Sequence, residues 1–186
     1  MFEGLLTFVG SHPFSMPIYP HRIRLRGPWL CQPLARLVLR ADGRVEEEPG
    51  ELPPQADYRP PADWAAVIGP DFRGRVLFQR YFNKPSGLED HEQVWLKING
   101  VDPGAAVSLN GQPLGHAGFL PPPAEFHLTP LLADRNELVF LVELPRVEPG
   151  ATAPPRYGRE QLPGGLIGEV YLEIRTTWKP GEGNAE

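Results

Sequence analysis

The densest run of titratable side chains is Glu89-Asp90-His91-Glu92, four neighbours of the kind that move protons or hold a cation. They fall between two segments of strand-like alternation, where a solvated turn is the expected structure. Nucleophilic chemistry would need a Ser or Cys on a strained turn beside a base. The four Ser lie in no Gly-x-Ser-x-Gly elbow, and Cys31 has no His in its local sequence. No Gly-rich loop ends in Lys-Ser or Lys-Thr to cradle a phosphate, and no two His stand at the i, i+4 spacing of a helical metal site. His116 and His127 are expected to be separate sheet residues. The sequence therefore assigns no catalytic residue, no metal and no cofactor, and a calcium site, which leaves little trace in sequence, is not predicted.

Side chains suited to binding are easier to find. Trp95 is out of phase with Val94, Leu96 and Ile98, so it faces away from the side those three bury. With Tyr81, Gln79 and Lys97 it would form a platform, unless residues 1–20 lie over it; cover is the favoured reading. The 19-residue loop Pro145–Pro163 is far longer than the usual ~4–6. It carries Arg156, Tyr157 and Arg159, whose planar donors and ring suit sugar hydroxyls or a carboxylate. With His116 and Phe119 it would frame one end of the fold. Arg22, Arg24 and Arg26 alternate as a charged edge strand would. Trp64 is read as a packing anchor.

These groups sit in a chain of 186 residues with 24 Pro and 20 Gly, both of which interrupt helices. No long stretch between them carries a helical apolar stripe, whereas short alternating runs recur between turn signals, predicting an all-β sandwich of jelly-roll type. A net charge of −5, with only three Lys among 18 basic residues, disfavours nucleic acid and anionic lipid as partners. Cys31 is expected to be a small buried hydrophobe. No export signal is read at the N-terminus and no apolar run reaches the ~20 residues of a membrane span, so a cytoplasmic location is expected.

Along the chain, residues 1–20 form an apolar extension expected to pack on the body, and 41–61 an acidic, Pro-rich surface connection. One or two strands are predicted in His21–Leu39. Further strands are predicted at Val76–Phe82, Val94–Ile98, Val107–Leu109, Glu125–Leu128, Glu137–Leu144 and Gly168–Arg175. Asn110-Gly111 predicts a type I′ hairpin, and Thr129 before Pro130 a cap on one short helical turn. Seven to nine strands make a single domain over 1–178, followed by a flexible tail at 179–186.

The order of several segments resembles the sugar-binding domain of family 2 glycoside hydrolases, a galactose-binding-like jelly roll. They are Pro61-Ala62-Asp63-Trp64, Phe72-Arg73-Gly74, Leu77-Phe78-Gln79-Arg80-Tyr81-Phe82, Val94 to Val101, Val107-Ser108-Leu109-Asn110-Gly111, Phe126-His127-Leu128-Thr129, Asn136-Glu137-Leu138 and Gly164-Gly165-Leu166-Ile167. His127 stands where that family favours Asp, and Gly168 where an Arg is common. The resemblance implies the fold; the family's two catalytic Glu belong to later domains, so no hydrolase activity is expected. It implies a non-catalytic carbohydrate-binding-like or accessory module, with a carbohydrate as ligand. The alternative is a structural or interaction sandwich that has lost the sugar site and meets a protein partner or itself.

Overall fold

The computed structural model describes residues 20–154 and 162–177. The expectations for residues 1–19, for Arg156, Tyr157 and Arg159, and for the 179–186 tail fall outside these. The described strands are β1 His21–Arg24, β2 Trp29–Leu39, β3 Val45–Glu48, β4 Ala56–Tyr58, β5 Gly74–Asn83, β6 Glu92–Ile98, β7 Gly104–Leu109, β8 Gln112–Gly118, β9 Ala124–His127, β10 Arg135–Leu144, β11 Arg146–Val147 and β12 Val170–Thr176. One helix of four residues, α1 Ala65–Ile68, and a 3₁₀ turn at Thr129–Leu131 are the only helical pieces among the described residues. None is long or apolar enough to cross a membrane.

The strands form a smaller sheet in the order β1-β12-β6-β9 and a larger one in the order β11-β2-β5-β10-β7-β8, with β3 and β4 paired onto β2. All pairs are antiparallel except β11 with β2. Alternation explains the core: Val76 and Phe78 of β5 and Phe140 and Val142 of β10 face Val94 and Leu96 of β6 and Leu172 of β12, all buried. This is the predicted all-β sandwich. Trp64 has no exposed surface and meets Phe72 edge to face at 6.2 Å. Cys31 is buried too, and burial pushes its thiol up to about 12, which keeps it protonated and inert.

The hairpin is formed as expected, with φ of 52° at Asn110 and 78° at Gly111. Two segments differ from the expectation. Residues 41–61 are more than a connection: β3 and β4 extend the larger sheet along β2, and Tyr58 is buried in the core. Such polar strands hold because edge positions tolerate charge, with Glu46 on Arg40, Glu47 on Arg75 and Glu48 on Arg146. Thr129 does not cap the 3₁₀ turn. Leu128 holds that position, while the Thr129 hydroxyl accepts the Val94 N–H at 2.8 Å and ties the turn to β6.

Candidate binding site at one end of the sandwich

The end of the sandwich where β7 begins and β8 finishes has a fixed frame. Gly104 pairs with Gly118, and the Val101 N–H donates to the Gly118 carbonyl at 3.1 Å. Asp102 and Gly165 exchange two main-chain hydrogen bonds of 2.9 Å, which clamps the turn at Gly164–Leu166 against the β6–β7 connection. Gly164 is needed there, since a Cβ would stand 2.7 Å from the Trp64 ring and 2.8 Å from the Asp102 carbonyl. The Tyr58 hydroxyl donates to the Ala62 carbonyl and accepts the Leu166 N–H at 3.0 Å. Burial raises its pKa well above the usual phenol value, so it stays a neutral donor.

On this frame the chain sets His116 and Phe119. His116 lies opposite Ala106, with Nε2 above Gly104, 2.7 Å from where a Cβ would project. Phe119 is 41% exposed and Leu120 75%. Pro121, Pro122 and Pro123 follow, all exposed. Leu162, 45% exposed, precedes the clamped turn. The Phe119 carbonyl and Ile167 both border Gly100, which joins the β8–β9 loop to that turn. His116 and Phe119 thus lie on the same end of β8 as the turn that follows the long loop, whose Arg156, Tyr157 and Arg159 lie outside the described residues.

Trp95 and Tyr81 are not brought together. The loop from β5 to β6 crosses from the larger sheet to the smaller, so their outward faces are back to back, and a platform shared by Trp95, Tyr81, Gln79 and Lys97 does not form. Trp95 is half-buried and already engaged: the Arg175 guanidinium lies 4.7 Å over its ring and His127 stacks at 5.0 Å. Tyr81 is exposed, but its hydroxyl donates to Glu137 at 2.9 Å, Gln79 bonds the same carboxylate, and Arg135 lies 4.7 Å over the ring. His116 and His127 have different neighbours. Among the described residues no three His, Cys, Asp or Glu converge as metal ligands.

The polar network on the outer face of β12 and β6 was not foreseen from the sequence. Glu173 is 3% exposed there and accepts hydrogen bonds from Arg175 at 2.7 Å and Arg22 at 3.1 Å. Arg175 also reaches Glu125, which meets Lys97 at 2.8 Å. Burial pushes the Glu173 carboxyl up, but Arg175 and then Arg22 outweigh it, and its pKa lies below the usual carboxylate value. Glu125 is lowered too, by Lys97 and then Arg175. Tyr171, Glu173 and Arg175 alternate with Val170, Leu172 and Ile174, so the period showed an outward face and not what would close over it. On the β5–β6 loop, His91 lies 3.4 Å from Glu89, both well exposed, and the Glu92 carboxylate accepts the Glu89 N–H. This is the solvated turn expected from the sequence.

No protein-family model matches the sequence, and no curated protein is significantly similar to it. Solved structures do match its fold. The chain superposes on a β-glucuronidase of Bifidobacterium dentium with a TM-score of 0.60 and 23% identity, covering 87% of this chain and 31% of that one. The chain thus shares a β-sandwich fold with part of that enzyme. A β-glucuronidase of Faecalibacterium prausnitzii gives a TM-score of 0.59 at 19% identity, over 90% of this chain and 33% of that one. A family 2 β-galacturonidase of Eisenbergiella tayi gives 0.55 at 19%, over 87% and 25%. The chain thus spans a quarter to a third of the length of these enzymes, and at such identities the likeness concerns the fold.

Proposed function

We propose that this chain is a non-catalytic carbohydrate-binding-like or accessory module, and that its ligand meets the sandwich end around His116 and Phe119. The observation that carries the reading is that Phe119, 41% exposed, follows His116 on the end of β8 that the Asp102–Gly165 clamp holds in place. A partly exposed aromatic ring with an imidazole on the same strand end suits the apolar face and hydroxyls of a sugar. The fold supports the reading as well, since the matched enzymes act on glycosides by name. Calorimetry and a glycan array with the native chain and Phe119→Ala test it. Binding to a mono- or oligosaccharide that the substitution weakens about tenfold is expected; no sugar bound below millimolar Kd would overturn it.

A second reading rests on Leu120 and Leu162, which add exposed aliphatic surface to the same end. Exposed aliphatic groups favour a protein partner or self-association over a sugar. Light scattering separates the two. A monomer at all concentrations, with sugar binding intact, removes the second.

A further inference from the structure

The opposite end of the sandwich holds a guanidinium that meets no counter-charge among the described residues. Arg80 stands opposite Leu138, which in turn pairs with Leu109 beside the Asn110-Gly111 hairpin, so it lies away from the Phe119 end. It continues the inward phase of Val76, Phe78 and Phe82 and is itself half-buried. Its Nη1 donates to the Pro28 carbonyl at 3.0 Å, and its buried Nε has no hydrogen-bond partner. Arg22, Arg24, Arg40, Arg75, Arg146 and Arg175 each meet a carboxylate. Among the described residues none pairs with Arg80, and desolvation lowers its pKa. Burying a charge without a partner is costly, so with no counter-charge among the described residues Arg80 is expected to contribute less to stability than a flexible apolar chain would.

We propose that Arg80 anchors a second site, one that receives a carboxylate. The Nε–Nη2 edge is the fork that fits a carboxylate side by side; meeting one takes an outward turn of the end of the side chain, which brings the buried Nε into reach and gives up the Nη1 bond to Pro28. One cation neutralises one negative charge, which favours a carboxylate over doubly charged phosphate. This site is independent of the sugar reading, and either can fail alone.

The test is thermal unfolding of the native chain and Arg80→Met in sodium chloride, acetate, N-acetylglycine and phosphate at matched ionic strength. The native protein should gain about 2–4 °C over chloride at acetate concentrations some ten times Kd, with less from phosphate. Arg80→Met should melt no lower than the native chain in chloride and show no gain from acetate. A merely structural Arg80 would give the reverse, a lower melting temperature with an unchanged acetate response, and would overturn the proposal. A stronger effect of N-acetylglycine than of acetate identifies a peptide C-terminus as the ligand; equal effects identify the bare carboxylate on any carrier. Should Arg80→Met not fold, the Arg80 Nε–H resonance of the native chain must shift on acetate titration, and a resonance that stays in place refutes the site.

Discussion

On the outer face of the smaller sheet, Glu173 is nearly closed off and bonded by two guanidinium groups, and Trp95 lies between Arg175 and His127. At the Phe119 end, Phe119, Leu120 and Leu162 keep 41%, 75% and 45% of their surface exposed. The first surface spends its polar groups on one another. The second is held from behind, by Trp64, Gly164 and the Asp102–Gly165 clamp, and presents partly exposed apolar side chains in front. A surface already satisfied gains little from a ligand, whereas an apolar end on a stiff support loses little entropy when one docks. Both are outward-facing; what separates them is where the hydrogen bonds and charges point.

The support behind the Phe119 end is the place to break this contrast hardest. Trp64→Ala empties a fully buried aromatic site and should cost about 3–5 kcal/mol, read by denaturant unfolding. A loss below about 1 kcal/mol would mean that the Gly164 turn does not rest on that ring. Gly164→Ala should cost about 1–3 kcal/mol, because its Cβ would fall within contact distance of backbone and ring alike. Both changes should lower affinity at the Phe119 end in step with stability.

The closed surface is tested through pH. The folded pKa of Glu173 lies below its unfolded value, so the group contributes stability that is present above the unfolded value, near 4.5, and is lost as pH falls through the folded one. Glu125 acts in the same direction. Glu173→Gln should therefore destabilise the chain at pH 7, by about 1–2 kcal/mol given that both guanidinium partners are partly solvated. It should also flatten the fall in melting temperature on acidification below about pH 4.5. An acid slope equal to that of the native chain would show that Glu173 is not linked to folding.

How much of this was legible beforehand follows from what sets each feature. Val94, Leu96 and Ile98 face the core because strand period alone decides it, and Asn110-Gly111 turns because its φ angles are local. His116 and Phe119 share an end because only two residues separate them. The clamp between Asp102 and Gly165, the Arg175 cover on Trp95 and the separation of Trp95 from Tyr81 depend on which strands become neighbours, which no local pattern records. β3 and β4 escaped notice for another reason. Their sequences, Val45–Glu48 and Ala56–Tyr58, are polar and beside prolines, and they are strands only because β2 is long enough to pair with both.

The smallest expected change in stability is also the sharpest test of the contrast. Leu120 is 75% exposed and has little burial to lose, so Leu120→Ser should change stability by less than about 0.5 kcal/mol. Trp95→Ala, on the closed surface, removes the ring that Arg175 and His127 lean on and should cost about 1–2 kcal/mol. The two variants should then part in the opposite sense in binding. Trp95→Ala leaves the Phe119 end intact and should bind any ligand found there with native affinity, while Leu120→Ser removes apolar contact at that end and should weaken it several-fold. Calorimetry with each variant reads both quantities. If Trp95→Ala abolishes binding and Leu120→Ser does not, the ligand belongs on the smaller sheet, and the cover of Arg175 over Trp95 is a contact that opens rather than one that closes the surface.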